Sequence, residues 1–202
     1  MRLILSAAVV LALSATAVAG TETFGWEGTE TILGMYPDSG VAASVSTEQV
    51  HSGSQSLMVE RLSDSQTPQA FVAWVVGLSD GDEVTASFWR YDVTPGSPHA
   101  PPSCRIWAHW NDDPDDIGGY ASSAGGNEDY GPEDGWDETE YTWTVEAGHT
   151  GLVIECRVYS NPGDIVWIDD LTVTAPDGAT IYTPAQQALS SDTWGAIKSS
   201  AL

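Results

Sequence analysis

Positive charge is what this chain most lacks. Six Lys+Arg stand against 29 Asp+Glu in 202 residues, a formal net charge of -23. That balance repels nucleic-acid phosphates and anionic lipid headgroups, so it disfavours both as partners. Neutral ligands and cations suit it better, as does the solvated acidic surface of an exported or salt-exposed protein. Cysteine is almost absent too: only Cys104 and Cys156 are present, which rules out a dense disulfide framework and permits one bridge. Each Cys precedes an Arg and shares a face with aliphatic residues if its stretch is a strand, so a buried reduced pair is the other reading. A bridge requires Cα atoms within about 7 Å. No apolar run after the first twenty residues is long enough to span a bilayer, and helical periodicity is missing from the body of the chain.

The one long apolar run is at the start, MRLILSAAVVLALSATAVAG. Arg2 precedes it, and Ala17 and Ala19 form an A-x-A arrangement, so residues 1–19 are expected to be a secretory signal peptide. The expected location is secreted or on the cell-envelope exterior. The remaining length fits one domain, expected over 21–175, followed by a tail over 176–202 that is flexible or forms one short helix capped by Ser190, Ser191 or Asp192.

Gly, Pro, Asn and Asp recur every ten to fifteen residues or so, and the pieces between them alternate or are rich in Val, Ile, Thr and Trp. This spacing predicts an all-β, two-sheet antiparallel β-sandwich of jelly-roll type. Two breaks interrupt it: the Pro-rich DVTPGSPHAPP from Asp92 to Pro102, which cannot lie inside a sheet, and the acidic, Gly-rich segment from Asn111 to Gly135, long enough to be functional or disordered.

The strand faces carry the functional signal. In CRIWAHWN, Cys104, Ile106, Ala108 and Trp110 fall on one side and Arg105, Trp107, His109 and Asn111 on the other. In GLVIECRVYS, Leu152, Ile154, Cys156 and Val158 oppose Val153, Glu155, Arg157 and Tyr159. In DEVTASFWRYDV, Val84, Ala86 and Phe88 point inward, leaving Trp89 and Tyr91 opposite. If the three strands share a sheet, its outer surface holds Trp89, Tyr91, Arg105, Trp107, His109, Glu155, Arg157 and Tyr159. Aromatic planes stack on the C–H faces of pyranose rings, and planar charged groups bond their hydroxyls, so these eight residues are the candidate sugar-binding set. Trp26, Trp74 and Trp143 are assigned to the core or to the space beneath the long loop.

The order of WEG near Trp26, VHSGSQSLMVE, EVTASFWRYDV, GWDETEYTWTV, GLVIECRVY and DIVWIDDLTV resembles the jelly-roll carbohydrate-binding modules of families four, nine and twenty-two, with their galactose-binding-like β-sandwich, over about Thr23 to Ala175. The resemblance implies a polysaccharide or glycan ligand in a cleft on one sheet. It also implies a structural calcium held by Glu27, the Ser54 carbonyl and Asp169 or Asp170, and calcium takes several such oxygen ligands. Alternation groups Asp170 with Val166 and Ile168 and so favours Asp170 as the inward carboxylate, while the resemblance does not decide between the two.

Catalysis is the weaker expectation. Glycoside hydrolysis needs two carboxylates across a cleft, and Glu155 is the one carboxylate placed on the aromatic face. The four histidines are dispersed without metal-ligand spacing, and no nucleophile elbow is present. The chain therefore reads as a non-catalytic binding module. The alternatives are an envelope or adhesion module without a sugar ligand, weakly suggested by the terminal TWGAIKSS, and a jelly-roll glycosidase or polysaccharide lyase.

Overall fold

A computed structural model of the chain describes residues 20–64, 66–92, 104–131, 135–159 and 161–185. The expected signal peptide and most of the Pro-rich connection lie outside them, as does the end of the tail. Twelve strands run in order among the described residues: β1 (Gly20–Phe24), β2 (Gly34–Tyr36), β3 (Val41–Ser46), β4 (Ser56–Arg61), β5 (Gln69–Val76), β6 (Glu83–Asp92), β7 (Cys104–Trp110), β8 (Ser122–Gly126), β9 (Gly135–Thr144), β10 (Gly151–Val158), β11 (Ile165–Ala175) and β12 (Thr180–Tyr182).

They form two antiparallel sheets, the sandwich that the turn spacing predicts. The first has the order β3-β4-β11-β6-β9, with β1 also on β11; the second has the order β12-β5-β10-β7-β8, with β2 also on β5. Period-two alternation turns Val84, Ala86 and Phe88 of β6, Ile106, Ala108 and Trp110 of β7, and Leu152, Ile154 and Cys156 of β10 into one apolar core with Ile168, Leu171 and Val173 of β11. Trp26 and Trp143 are in this core as expected. Trp74 packs on the outer side of the second sheet with Phe71, Leu33, Val153 and Ile117 of the long acidic segment.

Two expectations change. β6 pairs with β9 and β11, so Trp89 and Tyr91 belong to the first sheet and not to the one carrying Trp107 and Glu155. Alternation tells which side of its own strand a residue takes, but pairing is non-local and is not written in it. The domain also continues past 175: β12 pairs with β5, burying Ile181 and Thr183, so residues 176–185 are not a tail. Of the two readings of the cysteines, the structure has the buried reduced pair: Cys104 and Cys156 are buried free thiols. Cys104 lies opposite Val158 and Cys156 opposite Ile106, which makes the cysteines diagonal neighbours, and such pairs sit about 7–8 Å apart, at the limit of a disulfide's reach. The neighbouring Cys104 thiol, and then burial, hold the Cys156 thiol well above the ordinary range.

The inward series of β6 ends in a charge. Arg90 is buried and donates to the Cys104 carbonyl at 2.7 Å, to the Asp129 carbonyl at 2.9 Å, and to the carboxylates of Asp129 at 3.0 Å and Asp137 at 2.8 Å. It thereby links the first sheet to β7 of the second and to the loop that follows β8. Gly131, at φ +97, presses so closely on this guanidinium that a Cβ there would sit 2.8 Å from Nε. The Gly131 N–H first, and Arg90 behind it, hold the Asp129 carboxyl below its ordinary range against the opposing effect of partial burial. Replacing Arg90 by Ala leaves the Cys104 carbonyl unpaired, and denaturant unfolding followed by Trp fluorescence is expected to lose about 1–3 kcal/mol. An unchanged midpoint would show that the clamp contributes nothing.

Candidate functional site

The outer face of the second sheet holds a cleft of about 410 Å³. Its floor comes from alternate residues of three neighbouring strands: Gln69 and Phe71 of β5, Glu155 and Arg157 of β10, and Trp107 and His109 of β7. Two β-bulges flank the floor, one between Ile154 and Glu155 and one between Ala108 and His109. Bulges re-aim side chains locally, and these stand beside Glu155 and His109.

Those residues form a buried network. Glu155 is 1% exposed and His109 4%. His109 Nδ1 lies 2.5 Å from Glu155 Oε1, and its Nε2 lies 3.2 Å from the Gly119 carbonyl. The Gln69 amide, oriented as its neighbours require, donates to both Glu155 oxygens at 3.1 and 3.2 Å and accepts from Arg157 Nη2 at 3.0 Å. Arg157 also lies over the Trp107 ring, 4.6 Å from its centroid.

Of the eight candidate sugar-binding residues, Trp107, His109, Glu155 and Arg157 line the cleft. Arg105 and Tyr159 stand beside it: Arg105 is buried, donating to the Asn127 carbonyl at 2.6 Å and the Tyr130 hydroxyl at 2.8 Å, while lying over Trp107 at 4.5 Å and Tyr159 at 5.4 Å. Burial pushes the Tyr159 hydroxyl up from its ordinary range. Trp89 and Tyr91 are on the opposite side of the sandwich, where Trp89 stacks on His51 at 3.9 Å and Tyr91 meets Trp136 and Trp167.

The cleft also contains residues that sequence patterning passes over. Tyr36, 47% exposed, and Tyr120, 69% exposed, are two of the most exposed large hydrophobic side chains among the described residues, and both line the cleft. Tyr36 ends the three-residue β2, and Tyr120 lies in the acidic segment after β7, which folds back as β8 and walls the cleft. Asn111 fixes that segment by donating to the Asp116 carbonyl at 2.8 Å and accepting from the Asp113 N–H.

The expected cation ligands lie on the first sheet. Along one edge of β11, β4 pairs with Ile165–Ile168 and β1 with Leu171–Ala175; the change of partner falls at Asp169–Asp170. A bulge there, with Asp170 at φ +49, interrupts alternation, so Asp169 and not Asp170 is the buried carboxylate. Asp169 Oδ2 accepts the His51 and Ser52 N–H groups at 3.0 and 3.1 Å. Burial pushes its carboxyl up, against the lowering effect of these N–H groups. Asp170 meets His51 Nδ1 at 2.7 Å and the Ser52 hydroxyl at 2.6 Å.

Glu27 does not join them. It accepts the Ser54 N–H at 2.9 Å and hydroxyl at 2.6 Å, which hold its carboxyl below the ordinary range. Ser54 thus meets it through donors and not through its carbonyl. Among the described residues no three His, Cys, Asp or Glu side chains converge as a metal site. The Oδ1 atoms of Asp169 and Asp170 both lie within 4 Å of where a Cβ on Gly25 would sit, the first accepting the Asp170 N–H at 2.8 Å and the second the Ser52 hydroxyl at 2.6 Å.

No family model matches the chain, and no curated protein matches it. Solved structures do. The CBM22-1 xylan-binding domain from Paenibacillus barcinonensis Xyn10C superposes with a TM-score of 0.57 at 16% identity, covering 81% of this chain and 99% of that one. The CBM22-1-CBM22-2 tandem of the same protein gives 0.56 at 17% identity, covering 82% and 48%. The CBM22-1-GH10 modules of Clostridium thermocellum Xyn10B, complexed with xylohexaose, give 0.51 at 12% identity, covering 80% and 29%. At these identities the likeness is one of fold: the chain has the jelly-roll fold of the carbohydrate-binding modules, with an open cleft on the outer face of one sheet.

Proposed function

We propose that this protein is an exported, non-catalytic binder of a neutral polysaccharide or glycan, and that the cleft on the second sheet is its site. The observation that carries the reading is the pair of exposed tyrosines, Tyr36 and Tyr120, lining a cleft whose floor sets the polar groups of Gln69, Glu155 and Arg157 beside the rings of Trp107 and Phe71. Water-exposed aromatic planes beside planar hydrogen-bonding groups match the two kinds of surface a sugar ring presents. Two tyrosines on short or irregular segments supply the free faces, because Trp107 already has both Arg105 and Arg157 against its ring. The solved structure described as xylan-binding makes xylan the first polymer to try, beside soluble β-glucans.

Glu155 is the one carboxylate lining the cleft, which supports binding without hydrolysis, since a glycosidase sets two carboxylates about 5 to 10 Å apart. Affinity electrophoresis should show retardation on at least one of these polymers. Tyr36→Ala and Tyr120→Ala should each weaken it by about 1–2 kcal/mol, roughly five- to thirty-fold. No retardation on any polymer, with the variants equally inert, would favour an envelope or adhesion role. Release of reducing sugar that Glu155→Gln abolishes would establish an enzyme.

We further propose that Asp169 and Asp170 hold a calcium ion. Supporting this, the two adjacent carboxylates each bring an oxygen within 4 Å of one position beside Gly25, and among the described residues the ring of His51, not an arginine or lysine, pairs with Asp170. Calcium bound only to the folded state adds stability by mass action, about 2.7 kcal/mol at a hundredfold excess over Kd. EGTA is therefore expected to lower Tm, and Asp169→Asn to abolish that response; a Tm indifferent to EGTA removes calcium from the account.

A further inference from the structure

The histidine under the cleft has acceptors on both sides. His109 Nδ1 faces the Glu155 carboxylate and Nε2 faces the Gly119 carbonyl. The Gly119 carbonyl cannot donate, and neither can Glu155 in its ionised form, so beside the carboxylate a neutral imidazole, with one N–H, leaves a lone pair aimed at an oxygen lone pair inside a buried site. With Glu155 ionised, the imidazolium, with two N–H groups, is the form that satisfies both contacts. Gly119 immediately precedes Tyr120, whose ring centroid lies 5.5 Å from that of His109. One ring therefore ties the floor of the cleft to the segment carrying its most exposed aromatic.

We infer that His109 is the positioning residue of the cleft: in its doubly protonated form it bridges Glu155 to the Gly119 carbonyl and so sets Tyr120 in place for the ligand. This deepens the glycan-binding reading and rests on it. His109 itself is too buried to be a principal sugar contact. The titratable and charged groups around it are Glu155 and Arg157 on β10, Tyr36 on β2 and Tyr120 on the segment after β7; β5 presents Phe71 and Gln69, and β8 presents Ser123, none of them ionisable. Arg157 is separated from Glu155 by the Gln69 amide, so the negative neighbour in direct contact with His109 is Glu155. Loss of the second ring proton breaks one of the two bonds, and the weaker contact to Gly119 is the one that opens. His149 holds the base of the same segment through Asp112 at 3.0 Å, and its titration is followed separately.

The test is a pH series on 15N-labelled full-length protein, in which assigned ring-nitrogen spectra report the protonation of each histidine, run beside affinity electrophoresis on xylan and soluble β-glucan. Where the cleft binds, His109 should show two N–H groups. When its second proton is lost, affinity should fall roughly tenfold, and the Tyr120 ring resonances should shift over the same pH interval. H109F should bind roughly tenfold more weakly with no such pH step, while H149Q keeps the step. A single ring N–H on His109 under conditions where the wild type binds overturns the inference. So does affinity that is unchanged as the second proton leaves, or Tyr120 resonances that do not follow it. These readouts are made on the wild type and stand even if H109F fails to fold. Absence of binding to every polymer at every pH would sink the glycan-binding reading instead, while the His109 and Tyr120 resonances still decide whether His109 positions Tyr120.

Discussion

Three strands meet at the carboxylate of Asp169, and the first sheet depends on how it is satisfied. β11 is paired along one edge by β4 and then by β1, so its ladder must be handed from one neighbour to the other. At the handover the strand bulges, Asp170 takes a positive φ, and Asp169 closes the gap by accepting N–H groups from the turn leading into β4. A buried carboxylate replaces backbone carbonyls that the broken ladder does not supply. The second sheet faces the same problem on β5, whose edge is shared between β2 and β12; there the handover lies beside the bulge that carries Val72, and the strand on its other side carries Glu155. Interrupted pairing in each sheet is thus accompanied by a buried acid, and in the second sheet that acid lies under the cleft.

How much of this was legible follows from the range over which each signal acts. Alternation is local, so the two faces of CRIWAHW and GLVIECRV, and with them the positions of Trp107, His109, Glu155 and Arg157, are readable from the chain alone. Sheet membership is not. Trp89 and Tyr91 have the same strand pattern as Trp107 but pair with β9 and β11, and nothing in the residues of β6 names its partners. The bulge at Asp169–Asp170 defeats alternation for the reason that makes the site distinctive: one extra residue reverses every assignment after it. Leu171, Val173 and Ala175 set the opposite phase from Val166 and Ile168, and that mismatch between the two halves of the strand is the mark of the bulge in the sequence.

The cleft rim was less legible still. Ser122–Gly126 has no apolar alternation, and it forms a strand because β7 offers it an edge. Thr180–Tyr182 is three residues long. Tyr36 and Tyr120 have no pattern around them that distinguishes an exposed tyrosine from a buried one, and their role emerges only when β2 and the segment before β8 are brought to the same face.

The four arginines of the described chain are all engaged in the folded state: Arg61 donates to the Ser63 carbonyl, Arg90 clamps the two sheets, Arg105 anchors the loop after β8, and Arg157 lies across Trp107. Three are buried, and the single lysine of the chain, Lys198, lies outside the described residues. A protease that cuts after basic residues therefore finds no accessible bond within the domain while it stays folded, because each arginine lies in a strand whose backbone must leave its sheet to enter an active site. Tryptic cleavage between Gly20 and Tyr182 consequently counts opening of the sandwich itself, an intrinsic clock for unfolding that the scarcity of positive charge builds into the chain.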